Sequence, residues 1–174
     1  ATSADFFVTP LGKIKIDRDA VTRVSQLPQV EIFDSAHAQE HSLEVQLPFL
    51  QSVLDNFELI PLVVGEAGQH EVAEVLNLLW GGDETLIVIS SDLSHYKNYA
   101  VAQQMDRATS TAIETLQPEQ IHYDMACGRN PVNGLLEVAR QKHLHVETID
   151  LRNSGDTAGD KSRVVGYGAY VFHA

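Results

Sequence analysis

The sequence has one cysteine and only half as many basic as acidic residues, and each shortage excludes a class of protein. Among 174 residues, 12 are Lys or Arg and 24 are Asp or Glu, so the formal net charge is −12. Nucleic-acid binding depends on clustered Lys and Arg, so this composition argues against a phosphate backbone as the partner. One cysteine cannot form an internal disulfide, which favours a reducing compartment, and we expect a cytoplasmic location.

Long apolar runs and internal repeats are also missing. No window of 18 apolar residues exists, so no membrane span is predicted. The first residues, ATSAD, lack the basic start and apolar stretch of a signal peptide. Because no repeat, low-complexity run or Pro/Gly-rich linker divides the chain, residues 1–174 are predicted to form a single domain. A hydrophobic content of 44% is sufficient to build its core.

Strand and helix patterns alternate along the chain. Strands are predicted at residues 6–9 and 13–16, as a hairpin, and at residues 30–33, 59–64, 86–89, 146–151 and 164–172. Helices are predicted after Asp17 and at residues 40–54, 72–80, 100–116 and 130–142, with Pro48 allowing a late start in the first of these ranges. Residues 59–64 and 86–89 are continuous apolar runs, typical of strands buried on both faces. The alternation predicts an α/β fold with a mixed, largely parallel sheet flanked by helices.

The first polar stretch of interest covers residues 34–44, with the sequence DSAHAQEHSLE. If this stretch is helical, His37 and His41 lie on one face, with Glu44 three residues further on. Imidazole and carboxylate groups at that spacing could bind a divalent ion. The stretch lacks the acidic base of a His-Glu-x-x-His motif, and two histidines on a solvated helix face remain an open alternative.

A second polar stretch, SSDLSHY at residues 90–96, directly follows the predicted strand at residues 86–89. Ligands of open α/β sheets bind beyond the carboxyl ends of the strands, so Asp92 and His95 are candidate functional residues. The alternative is a helix cap formed by Ser and Asp, with His95 on the rim. A serine triad is disfavoured, because its members usually come from distant parts of a fold.

The third stretch is ACGRNP at residues 126–131, just before a predicted helix. The positive end of the helix and Arg129 favour a thiolate at Cys127. That thiolate could be a soft metal ligand, or a nucleophile with His95 as its base. A small buried apolar side chain is the structural alternative. Residues 159–162, GDKS, differ from a phosphate-binding loop, so no nucleotide site is predicted.

Four of these segments occur together in the order seen in one known family. They are EHSLEVQLPF at residues 40–49, SSDLSH at 90–95, CGR at 127–129 and the segment from NSGDTAGD to VGY at 153–167. Over nearly its whole length the chain resembles the Memo-like family, named for the mediator of ErbB2-driven cell motility. The resemblance implies a fold similar to class III extradiol dioxygenases. The family's first histidine ligand lies in a Pro-His-Ala-Gly segment absent from this sequence, so we expect an N-terminally incomplete domain.

The resemblance also implies roles for individual residues. His41 resembles a metal ligand, and Cys127 takes the place of the carboxylate ligand of the dioxygenases. His95 resembles the acid/base histidine at the metal and is also expected in the metal-binding set with His41 and Cys127, and Asp92 is expected to orient it. A thiolate makes Fe(II), Zn(II) and Cu each plausible as the metal.

Two functions follow from that resemblance. One is a non-haem, metal-dependent oxidoreductase, similar to a dioxygenase, that acts on a small molecule. The alternative is a non-catalytic adaptor that binds a peptide or phospholigand in the same pocket, with Arg129, Lys161 and Arg163 as its basic rim. Radical-SAM and AMMECR-type proteins are the implied partner proteins.

Overall fold

The structure, a computed structural model, describes residues 1–157 and 159–174; Ala158 lies outside the described residues. The described residues group into two compact units. Unit 1 holds residues 1–67 and 78–86, and unit 2 holds residues 68–77 and 87–174. The single domain expected over residues 1–174 stays a prediction.

Unit 1 begins with the predicted hairpin. Strand β1 (Phe6–Thr9) pairs antiparallel with β2 (Gly12–Ile16). Helix α1 (Arg18–Val24) follows, and its start is fixed by Asp17, whose carboxylate accepts the Ala20 N–H at 2.9 Å. A side-chain acceptor at this position satisfies a backbone donor that has no partner within the helix. The predictions of a hairpin and of a helix capped by Asp17 are confirmed.

The rest of unit 1 contains less regular structure than predicted. Helix α2 covers only Leu47–Val53, with Pro48 in its first turn, where the fixed φ of proline suits a helix start. Strand β3 is limited to Glu58–Leu59 and pairs parallel with β2. The predicted strand at residues 30–33 is wrong, and a short 3-10 helix at Asp34–Ala36 follows that segment.

Most of the remaining elements belong to unit 2. They are α3 (Gln69–Leu79), β4 (His95–Lys97), α4 (Tyr99–Glu114), α5 (Arg129–Gln141), β5 (His145–Asn153) and β6 (Val164–His173). The sheet has the order β4-β6-β5 and is antiparallel throughout. Helix α4 packs against β5 and β6. One cluster of the apolar core consists of Ala112, Ile113, Ile121, Ala126 and Leu136. No helix in the described part of the chain is both long and apolar enough to cross a bilayer.

The α/β class is confirmed by five α-helices and two sheets in the described residues, but the prediction of a largely parallel sheet is wrong. Within residues 1–157 and 159–174, only β2 and β3 pair in parallel. Residues 86–89 form no strand, and Leu86 and Val88 are 67% and 46% exposed. An apolar run becomes a buried strand only when a neighbouring backbone supplies hydrogen-bond partners, and composition does not report that neighbour.

Candidate metal site

Strand β6 holds the backbone of the segment that contains Asp92 and His95. The Leu93 N–H donates to the Gly166 carbonyl oxygen at 2.9 Å, and the Gly166 N–H donates to the Ser94 carbonyl oxygen at 2.8 Å. These two hydrogen bonds fix the chain between Asp92 and His95 against one point of β6. The predicted functional segment is therefore a held piece of backbone rather than a loose loop.

A buried carboxylate holds the same segment from its other side. The Ser94 N–H donates to Asp106 Oδ1 at 2.9 Å, and Asp106, in α4, is only 3% exposed. A Cβ atom at Gly166 would lie 2.2–2.4 Å from the carboxyl atoms of Asp106, so only glycine fits there. Asp106 was not predicted as a site residue. The sequence feature that points to Asp106 is an acidic residue on the buried face of the predicted helix, in line with Ala102 and Ile113.

Cys127 is joined to the same segment by its backbone and by its sulfur. The Cys127 N–H donates to the Asp92 carbonyl oxygen, and the Asp92 N–H donates to Cys127 Sγ, both at 3.2 Å. Ser91 Oγ lies 3.6 Å from the same sulfur and accepts the Gly128 N–H at 2.9 Å. A Cβ at Gly128 would lie 2.8 Å from Ser91 Cβ, so glycine permits this close approach.

Asp92, His95 and Cys127 form one cluster of metal-capable side chains in unit 2. Their ligand atoms all lie within 4.8 Å of one another, and His95 Nε2 lies 3.5 Å from Asp92 Oδ2. Asp92 and His95 are half-buried, and Cys127 is exposed, so the alternative of a buried apolar cysteine is wrong. Cys127 precedes α5, as predicted, and Gly128 is the N-cap of that helix. The structure thus brings together three of the four predicted site residues.

The fourth predicted residue, His41, lies in unit 1 and has a partner there. His41 Nδ1 lies 2.6 Å from Glu44 Oε2, and both side chains are more than two-thirds exposed. Residues 40–46 are not helical, so the shared helix face of His37 and His41 is wrong. His37 instead packs edge-on against Phe7, with ring centroids 5.7 Å apart, and burial lowers its pKa. The role of His41 as a metal ligand stays a prediction.

The contact between His41 and Glu44 gives a test of this local geometry. The hydrogen bond from Glu44 raises the pKa of His41 above its usual value. We expect Glu44→Gln to lower the pKa of His41 in an NMR titration. A raised folded-state pKa adds stability below the unfolded pKa that is lost as the pH rises through the folded value. Because both groups are exposed, we expect no measurable change in unfolding. An unchanged His41 pKa would contradict the contact.

All three cations of the predicted basic rim lie over tyrosine rings in unit 2. The distances from the cation to the ring centroid are 5.8 Å for Arg129 over Tyr123, 4.4 Å for Lys161 over Tyr99 and 4.9 Å for Arg163 over Tyr96. Such stacking occupies the face of the cation and fixes its position.

The start of the loop at residues 153–163 is a tight turn built by its own polar groups. A 3-10 helix at Ser154–Asp156 begins with Asn153, whose Oδ1 accepts the Gly155 N–H and whose N–H donates to Asp156 Oδ2, each at 2.9 Å. The Tyr99 hydroxyl donates to Asp156 Oδ1 at 2.6 Å and lowers the pKa of that carboxyl. This part of the loop therefore has a structural explanation.

Nearly the whole chain is similar in sequence to one known protein family. Residues 1–171 match the family model described as "Memo-like protein". The chain belongs to the Memo-like family. It is 37% identical to a "MEMO1 family protein" from Ignicoccus hospitalis and 35% identical to one from Aquifex aeolicus. These matches cover 94% and 98% of this chain but only 62% and 68% of the Memo-like relatives, so the chain spans about two-thirds of their length.

Proposed function

We propose that the protein binds a transition-metal ion through Asp92, His95 and Cys127. The proposal is carried by one observation, the approach of a carboxylate oxygen, an imidazole nitrogen and a thiol sulfur to within 4.8 Å of one another. Exposed acidic groups often cluster without a ligand. A set that also includes the only cysteine, held by backbone hydrogen bonds, is more specific.

The donor set fits the dimensions of a metal site. With bonds of about 2.0–2.3 Å, two ligand atoms of a tetrahedral ion lie roughly 3.3–3.8 Å apart. His95 Nε2 and Asp92 Oδ2, at 3.5 Å, already have this separation. The sulfur of Cys127 lies within 4.8 Å of both ligand atoms. Imidazole suits Zn, Cu and Fe, whereas thiolate favours the softer ions, so the set excludes none of the three expected metals.

In such a site, the residues around the three ligands hold those ligands in place. The Asp92 N–H and Ser91 Oγ hold the sulfur of Cys127, and β6 holds the backbone between the other two ligands. Three protein ligands leave a position open for a small molecule, and a bound ion would act there as a Lewis acid. Because His95 is a ligand here, a role for it in moving a proton belongs to a second version of the site, in which another residue completes the ligand set.

The finer version of this proposal is a dioxygenase-like oxidoreductase in which His41 adds a further metal ligand. Support for it comes from membership of the Memo-like family and from the thiolate-containing donor set. In this version His95 acts as acid/base rather than as an obligatory ligand. The variant His95→Ala distinguishes a ligand role from an acid/base role, because it abolishes metal binding only if His95 is a ligand. Radical-SAM and AMMECR-type partners are proposals of the same kind.

Loading with iron tests both versions in sequence. We expect protein exposed anaerobically to Fe(II) to retain one ion per chain after desalting, measured by elemental analysis. We then expect oxygen uptake when catechols and air are added. Separate samples are exposed to zinc and to copper in the same way. If the protein retains none of the three metals, the metal proposal is wrong. Retained iron without oxygen uptake on any catechol would make only the ring-cleavage version wrong.

A further inference from the structure

A bulge in β4 presents Tyr96 directly beside the candidate metal site. His95 lies opposite Val165 of β6 and Lys97 lies opposite Val164, so Tyr96 is the extra residue between them. Its φ is 58°, in the left-handed region that disfavours side chains. Burial does not explain the strain, because Tyr96 is 63% exposed. Bulges and strained residues of this kind occur often next to functional sites, where they redirect a side chain.

The ring of Tyr96 links His95 to a cation. The His95 ring stands edge-on to it, with centroids 5.7 Å apart and an interplanar angle of 66°. The Arg163 guanidinium carbon also lies over the Tyr96 ring, 4.9 Å from its centroid. A guanidinium attracted to an aromatic ring still has several N–H donors for other partners. Arg163 therefore offers donors one ring away from the histidine of the metal site.

No carboxylate of the described protein takes those donors. Within residues 1–157 and 159–174, only Arg140 and Arg152 of the seven arginines form an ion pair with an acidic side chain, and Arg163 shares the lack of one with the other four. Acidic residues outnumber basic ones by two to one, so internal partners for an arginine are abundant. The exposed guanidinium is instead held on an aromatic ring beside a candidate ligand site.

We propose that Arg163, held over Tyr96, binds the oxyanion group of a small ligand whose other end sits at Asp92, His95 and Cys127. The planar fork of arginine matches the paired oxygens of a carboxylate or phosphate. The inference rests on the proposed function for the reacting end of the ligand. It narrows the substrate class to small anions. The bulge at Tyr96 places the ring over which the anion-binding guanidinium of Arg163 is held.

Anion binding to the metal-free protein tests this assignment. In ¹H–¹⁵N NMR titrations at low ionic strength, benzoate and inorganic phosphate are added separately. We expect shifts at the Tyr96 amide and the Arg163 side chain, and about tenfold weaker binding in Arg163→Gln, because a charge-assisted hydrogen-bond pair is lost. Tighter binding of benzoate identifies a carboxylate ligand, and tighter binding of phosphate identifies a phosphorylated one.

Two further variants separate recognition from general effects. Arg152→Gln removes the same charge from β5, where the arginine pairs with Asp150, and we expect it to leave the affinity within about twofold of wild type. Tyr96→Gly relieves the left-handed strain, so we expect weaker anion binding without a lower unfolding midpoint. Equal losses in the two arginine variants, or shifts that map away from Tyr96 and Arg163, would overturn the proposal.

The same titrations distinguish this inference from the function on which it rests. They are repeated after exposure of the protein to Co(II). If no metal binds but the Arg163-dependent anion binding persists, the metal proposal is wrong and the anion site stands. If metal binds and the anion binding does not depend on Arg163, the anion site is wrong and the metal proposal stands.

Discussion

Replacement of Gly166 by alanine is expected to destabilise the protein by about 3 kcal/mol, because it forces extra atoms into a filled space. The new Cβ would lie 2.2–2.4 Å from the carboxyl atoms of Asp106. That carboxylate cannot move away freely, since it is buried and accepts the Ser94 N–H. Urea unfolding measures the loss in the free energy of unfolding. In thermal unfolding, we expect the midpoint to fall by roughly 10 °C for a chain of this size.

Two comparisons show whether the contact with Asp106 is the cause. Gly65→Ala introduces the same methyl group where nothing lies within 4 Å, and we expect a change of less than about 1 kcal/mol. The double variant Gly166→Ala with Asp106→Ala removes both partners of the clash. We expect it to be at least about 1 kcal/mol more stable than the sum of the single effects predicts. Simple additivity would count against the explanation.

Replacement of Cys127 by serine is expected to weaken Co(II) binding by about 100-fold or more, since even residues that only support a ligand cost 10- to 100-fold when replaced. The loss of a soft sulfur donor also removes the near-ultraviolet absorption band that thiolate gives with Co(II). Cys127 is exposed and its side chain is not part of the core, so the variant should unfold at nearly the wild-type urea concentration. Absorption titration against Co(II) measures both the affinity and the band.

Ser91→Ala is the matched control for that measurement. It removes the hydroxyl that lies 3.6 Å from Cys127 Sγ but keeps all three proposed ligands. We expect the charge-transfer band to persist, with an affinity loss of about tenfold. Absence of the band in the wild-type protein, or wild-type affinity in Cys127→Ser, would show that the ion binds elsewhere.

The elements that could be predicted are those decided by nearby residues. Asp17 caps α1 through the Ala20 N–H three residues later, and the hairpin of β1 and β2 closes around a short turn. Residues 59–64 and 86–89 were predicted as buried strands from their apolar content alone. Their pairing depends on a neighbouring backbone that is distant in sequence, and only Glu58–Leu59 finds one in the structure.

In the candidate site, too, some residues can be predicted from the sequence, whereas others depend on contacts between distant parts of the chain. Asp92, His95 and Cys127 are predicted from their residue types and from their positions beside predicted elements, although the strand predicted at residues 86–89 does not form. Their proximity was an expectation from the family resemblance, and the structure gives it a distance. Asp106 lay beyond prediction, because its task depends on a contact with the backbone of Ser94 and with β6. The positive φ of Tyr96 likewise results from a shift in strand register, which no local pattern reports.

The hydrogen bonds between β6 and the segment around Leu93 and Ser94 also set an order of events during synthesis. Strand β6 follows all three proposed metal ligands in the sequence, so the ribosome produces the ligands before the strand that holds the segment with two of them. A nascent chain that stops short of β6 carries the donors without the geometry. Metal capture is thus expected to follow the docking of β6.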